Sequence, residues 1–124
     1  MSKRRFLALN YVHVLARFTL VLAVSSVSLA VNAGSVSNAH ITLLNINKDI
    51  PNVLFVQTDG SKDSNPACHI NQMWTFVFPL VNQNDQQMMA LLLTARATQA
   101  PVRIDGSGQC EVFGSIETGK YVTY

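Results

Sequence analysis

The sequence predicts a mainly β domain with one helix, an α+β fold of about five strands, lying behind a removable leader. Three observations carry this reading. Residues 73–80 (MWTFVFPL) alternate apolar and other side chains at period two, residues 85–98 repeat apolar positions at helical spacing, and the two cysteines, Cys68 and Cys110, both lie beyond the leader. Alternation marks a strand, whereas recurrence every three and four residues marks one face of a helix.

Residues 1–33 read as a secretory signal peptide. Lys3, Arg4 and Arg5 precede an apolar stretch that peaks over residues 18–31, and Val31 and Ala33 frame a cut before Gly34. Residues 6–33 are long enough to span a bilayer core of about 30 Å as a helix. Arg17 and the run SSVS at 25–28 raise the cost of insertion, so no stable membrane span is expected after cleavage. A leader retained as an anchor is the other reading. Export makes residues 34–124 a single domain, secreted or periplasmic.

The leader holds four of the nine basic residues, so the exported part carries five against seven acidic ones, a formal charge of −2. Nucleic-acid and anionic-membrane binding need clustered Lys and Arg. No nucleic-acid partner is therefore expected.

An oxidising compartment favours a Cys68–Cys110 disulfide. The loop it closes corresponds to about 4 kcal/mol in the chain-entropy account. A zinc site would need two further ligands, and only His40 and His69 are at hand, with His69 adjacent to Cys68. No metal and no cofactor are expected.

Residues 40–47 (HITLLNIN) form the first predicted strand, with a slip in alternation at Leu43-Leu44 that suggests a bulge. Residues 48–52 (KDIPN) signal a turn, and residues 53–57 (VLFVQ) a second strand in a hairpin. Residues 58–66 (TDGSKDSNP) read as an exposed loop. The third strand, 73–80, places Trp74, Phe76, Phe78 and Leu80 on one face. Asn84 and Gln87 suggest a capping box. Met88, Leu91, Leu92 and Ala95 then give the following helix its apolar side, and Pro101 forbids its continuation. Residues 102–104 begin a fourth strand, residues 106–108 (GSG) bend the chain, and short strand segments from Cys110 to Tyr124 complete the domain. Strand-strand-strand-helix-strand-strand is the order of an OB-like five-stranded barrel, with the helix covering an open end.

Residues 68–110 resemble the B subunits of subtilase-cytotoxin and pertussis-like toxins and other small secreted bacterial proteins. The likeness rests on the Leu-rich helix (LLLTA at 91–95), the turn ATQ at 97–99, the strand PVRI at 101–104 and a following cysteine. It implies an OB barrel, assembly as a homo-oligomeric ring and recognition of host glycans.

A hydrolase needs a nucleophile beside an oriented base, and neither His40 nor His69 sits in a nucleophile motif. Asp59, Asp63 and Asp105 read as solvated turn residues, not as a paired-carboxylate site. Trp74, Phe76 and Phe78 could form a stacking platform, although core packing is the expectation for all three. Recognition normally sits on loops of a rigid scaffold. The candidate ligand contacts are accordingly Thr58, Asp59, Lys62 and Asp63 of the 58–66 loop, with Tyr121 near the chain end. The expected function is a non-enzymatic exported binding domain for a glycan or protein partner. The alternative is a structural or accessory envelope protein without a small-molecule ligand.

Overall fold

A computed structural model describes residues 31–124; residues 1–30, which hold the basic start and apolar stretch of the leader expected over 1–33, lie outside the described residues. Six strands and one helix follow one another as β1 (Ser35–Ala39), β2 (Ile41–Asn47), β3 (Ile50–Thr58), β4 (Phe76–Pro79), α1 (Gln83–Thr98), β5 (Val102–Gly106) and β6 (Gly119–Thr123). They form two antiparallel three-stranded sheets, ordered β1-β5-β6 and β2-β3-β4.

The predicted five-stranded OB barrel is therefore corrected to two open sheets with a helix. Two features prevent closure. Ser35–Ala39, a Ser/Asn-rich stretch without a strong apolar pattern, adds a sixth strand by pairing with β5. On the other side, β4 meets the β1-β5-β6 sheet through a single parallel bridge, Val77 to Thr118 just before β6, and runs out at Pro79, which has no N–H to extend a ladder. The chain passes directly from β1 in one sheet to β2 in the other, turning at Asn38 with φ 53°, a left-handed conformation that Asn tolerates better than most residues.

The β2–β3 hairpin is longer than predicted and closes at Lys48-Asp49. Its register shifts twice, between Ile41 and Leu43, one step before the expected Leu43-Leu44 slip, and between Ile46 and Asn47 beside the turn. The third predicted strand shortens to Phe76–Pro79, because the Asn71 side-chain oxygen accepts from the backbone N–H of Met73 and of Trp74 and turns the chain there. Residues 110–118, expected to be strand in part, are mostly bends and turns, with isolated bridges between Phe113 and Ile116 and from Thr118 to Val77.

Sheet β2-β3-β4 is packed on both faces. Leu54, Val56, Phe76 and Phe78 point into the main core with Ile104, Val122 and the helix residues Leu92 and Ala95. Val53, Phe55 and Val77 face the other way, under Ile116, Phe113 and Trp74. Trp74 thus belongs to the second cluster and does not share a face with Phe76 and Phe78 as the alternation suggested.

The cap and the first residue of helix α1 each lie two residues earlier than predicted, at Asn82 and Gln83. Asn82 caps it by accepting from Asp85 N–H at 3.0 Å, and the Asp85 carboxylate accepts in return from Asn82 N–H at 3.0 Å. This is a capping box built on Asp in place of Glu or Gln. Its contact stripe is narrow: Leu92 and Ala95 are buried, Met88 and Met89 pack partly, and Leu91 remains 38% exposed. The helix ends at Gln99, which adopts the left-handed conformation and donates its N–H to Ala95.

Cys68 and Cys110 are bonded, with Cα atoms 6.1 Å apart, so the β3–β4 connection is tied to the β5–β6 connection. Among the described residues no helix is long and apolar enough to cross a membrane.

Candidate functional site

The β3–β4 connection, residues 59–75, is held to the framework by charge-bearing side chains. Asp59 Oδ1 accepts from His40 N–H at 2.6 Å, and Asp59 Oδ2 lies 3.1 Å from His40 Nδ1. The backbone N–H of His40 is the main reason that the Asp59 carboxyl titrates below its ordinary value. Asp63 Oδ1 accepts from Ser35 N–H at 2.6 Å. Both carboxylates thus bind backbone groups that anchor β1 and β2.

Lys62 turns inward. Its ammonium pairs with Glu117, whose side chain is fully enclosed, and only 4% of the Lys62 side chain is exposed. The ammonium also lies 4.5 Å from the centre of the Phe76 ring, within the range of a cation–π contact. Burial pushes the Lys62 amine below the ordinary lysine value, and Glu117 pulls it part of the way back.

The Glu117 carboxylate accepts from Gly34 N–H and Gly108 N–H, each at 2.9 Å. A Cβ on Gly106 would lie 2.1 Å from Glu117 Oε1, so the carboxylate fits only because that position has no side chain. His69 completes the cluster: its Nδ1 accepts from Glu117 N–H at 3.0 Å and lies 3.4 Å from Lys62 Nζ. An acceptor at Nδ1 places the ring proton on Nε2 and keeps the imidazole neutral. Burial first, and the Lys62 charge second, lower its pKa.

Above this frame the connection opens two adjoining concavities. One, of about 300 Å³, is polar and is lined by Thr58, Lys62, His69, Asn71 and Trp74 among others. The second, of about 160 Å³, is lined by Asn45, Asn47, Ile50, Phe55, Asn71, Trp74 and Phe113. Asn71 and Trp74 are common to both, so the two concavities adjoin at this shared wall, and together they are called the groove.

The groove's composition follows from the sheet. Asn45 sits directly opposite Phe55 in the β2–β3 ladder, and Asn47 follows it at strand period two. Phe55 lies 5.4 Å from the Trp74 ring and 5.2 Å from the Phe113 ring, the latter edge-on. Trp74 and Phe113 are half-buried, leaving aromatic surface at the wall. Two of the amides are oriented by the backbone. Asn47 Oδ1 accepts from Asp49 N–H at 2.9 Å, and Asn71 Oδ1 accepts from Met73 N–H at 2.9 Å and from Trp74 N–H at 3.0 Å. With the oxygens so engaged, the amide nitrogens of both residues are left to donate.

Of the residues expected to contact a ligand, the structure brings Thr58 and Lys62 to the groove, although the Lys62 charge is spent on Glu117. Asp59 and Asp63 are turned to the backbone. Tyr121 is exposed on β6, in the other sheet. Sequence reasoning missed Asn45, Asn47 and Asn71. The pair Asn45 and Asn47, polar at alternate positions of a strand whose neighbour carries Phe55, was the available signal.

Among the described residues, no hydroxyl or thiol is hydrogen-bonded to the ring of His40 or His69. No group of three or more His, Cys, Asp or Glu is placed to hold a metal ion. Compared with known proteins, the chain matches no family model, no curated protein and no solved structure.

Proposed function

We propose that this protein is a non-enzymatic exported binding domain that recognises a glycan through the groove of Asn45, Asn47, Asn71 and Trp74. The observation that carries the reading is the pairing of backbone-oriented amide donors with partly exposed aromatic faces in one concavity. A sugar ring offers the matching surfaces: hydroxyl and ring oxygens as acceptors, and an apolar C–H face that packs on an aromatic ring. No charged residue lines the smaller concavity, which favours an uncharged sugar there. The disulfide and the absence of a spanning helix among the described residues are compatible with export.

A glycan array probed with the exported protein tests this reading. The expected result is a set of bound neutral glycans, with binding weakened at least about fivefold by Trp74→Ala, taking an aromatic stacking contact as about 1–3 kcal/mol. A protein that binds no glycan, or binds equally well without Trp74, would overturn it.

The second reading is an accessory envelope protein working through protein contacts. It is favoured by apolar side chains left exposed on α1 and the β3–β4 connection, Leu93 at 49% and Ile70 at 75%. Co-purification of a defined envelope partner, lost on Leu93→Lys, would support it.

A further inference from the structure

The bond that the sequence marks for cleavage, Ala33–Gly34, lies at the boundary between exposed and buried chain. Residues 31–33 are exposed and outside regular structure, whereas Gly34 is buried one residue before β1 begins. Gly34 is enclosed tightly. A Cβ there would lie 2.3 Å from the Ser64 carbonyl oxygen and 2.8 Å from Glu117 Oε2, so only glycine fits. Its carbonyl accepts from Gly106 N–H at 2.7 Å, and its own N–H donates to Glu117 Oε1 at 2.9 Å. A fully buried carboxylate, 83 positions away in sequence, thus holds the nitrogen that leader removal would free.

We propose that cleavage after Ala33 creates an α-ammonium group on Gly34 that pairs with Glu117, so that the processed chain completes a charged core contact the precursor lacks. The inference rests on the export reading above. In the hydrolysis, catalysed by a leader-removing protease, water adds across the Ala33–Gly34 amide. The C–N bond breaks, Ala33 departs as a carboxylate, and the Gly34 nitrogen leaves the step protonated as an ammonium. The nitrogen already lies within hydrogen-bond distance of the Glu117 carboxylate, so a contact charged on the acceptor side alone becomes one charged on both sides.

The local charges accommodate the newcomer. Glu117 faces Lys62, and Asp63, which holds the next backbone N–H at Ser35, adds a second carboxylate. His69 presents an unprotonated nitrogen to the cluster and adds no positive charge. Two ammonium groups then stand with two carboxylates. Departure of Ala33 also frees the Ser64 hydroxyl, which donates to the Ala33 carbonyl at 2.8 Å in the uncut chain. A precursor with only an amide at this position would stay looser until the leader is removed, which suits a chain that must cross a membrane before folding.

The test is the full chain, expressed with its leader in a bacterial host on ¹⁵N-glycine, recovered after export and first weighed intact. The mass should correspond to a chain starting at Gly34, and any other start overturns the inference by removing its premise. The Gly34 α-nitrogen is then titrated by NMR in folded protein and in urea. Pairing predicts a proton dissociation constant at least about tenfold lower in the folded state, because an adjacent carboxylate favours the charged form. An equal or higher constant in a chain that does start at Gly34 overturns the pairing alone. Glu117→Gln should return the constant toward the urea value; where that variant does not fold, the folded-against-urea comparison decides by itself.

Discussion

The Lys62 ammonium and the Glu117 carboxylate, 55 positions apart in the chain, form an ion pair almost wholly removed from solvent. It joins the β3–β4 connection, which walls the groove, to the segment leading into β6. Removing one partner of such a pair strands the other charge, at a cost of about 3–5 kcal/mol. Lys62→Met should lower unfolding free energy by that amount in urea titrations. The double variant Lys62→Met, Glu117→Leu should recover only part of the loss, because Gly34 and Gly108 N–H then lose their acceptor. A single variant within about 1 kcal/mol of the parent would contradict this account.

Gly106→Ala is expected to destabilise by about 1–3 kcal/mol or more. The added methyl would meet a carboxylate pinned by two backbone N–H groups and Lys62, which has no exposed direction in which to retreat. Thermal unfolding measures the effect, and Gly114→Ala, where a Cβ meets nothing, is the matched control.

Acid should weaken the fold through His69. Its pKa is lower in the folded state than the ordinary value of 6.5, so the folded protein binds fewer protons than the unfolded chain. Stability is then fully present above that ordinary value and is lost as pH falls through the lowered one. Protonation puts a hydrogen on Nδ1, against the Glu117 N–H and the Lys62 ammonium. Urea midpoints should fall between pH 7.5 and pH 5, and His69→Gln, which can still accept a hydrogen bond but does not titrate, should flatten part of that slope. The lowered carboxyl pKa values of Asp59 and Asp105 act at still lower pH, and both groups are solvent-exposed enough that their effect should be small.

Reduction of Cys68–Cys110 should lower stability by about 4 kcal/mol on the chain-entropy account. The bond ties the groove's wall to the loop carrying Gly108, so reductant should also raise amide exchange in residues 62–71 ahead of the β2–β3 hairpin. Hydrogen-exchange mass spectrometry with and without reductant measures both effects.

The hairpin, the single helix, the presence of a connection after residue 58 and the cysteine pair were legible in the sequence because each rests on local pattern or composition; the exposure expected of that connection was not met at Lys62 or Pro66. What was not legible depends on distant partners. Ser35–Ala39 becomes a strand only because β5 offers it an edge, and that sixth strand turns a predicted barrel into two sheets. Lys62 reads as a solvated loop cation until the fold brings Glu117 beneath it. Trp74 leaves the Phe76 and Phe78 face because Asn71 turns the chain just before β4, and no periodicity encodes that turn. The groove fell between these two kinds of signal. Asn45 and Asn47 alternate as a strand face should, but their meaning appears only with Phe55 opposite and Trp74 alongside.

The proposed function turns on whether the amide-and-aromatic groove binds sugar. An NMR titration of the ¹⁵N-labelled protein with a neutral oligosaccharide selected on the array, following side-chain signals, tests this. The account predicts that the Trp74 indole and the Asn47 and Asn71 amide signals shift and saturate together, while signals from β6 around Tyr121 stay in place. Shifts confined to β6 or α1, with Trp74 and both amides unmoved at saturation, would contradict it.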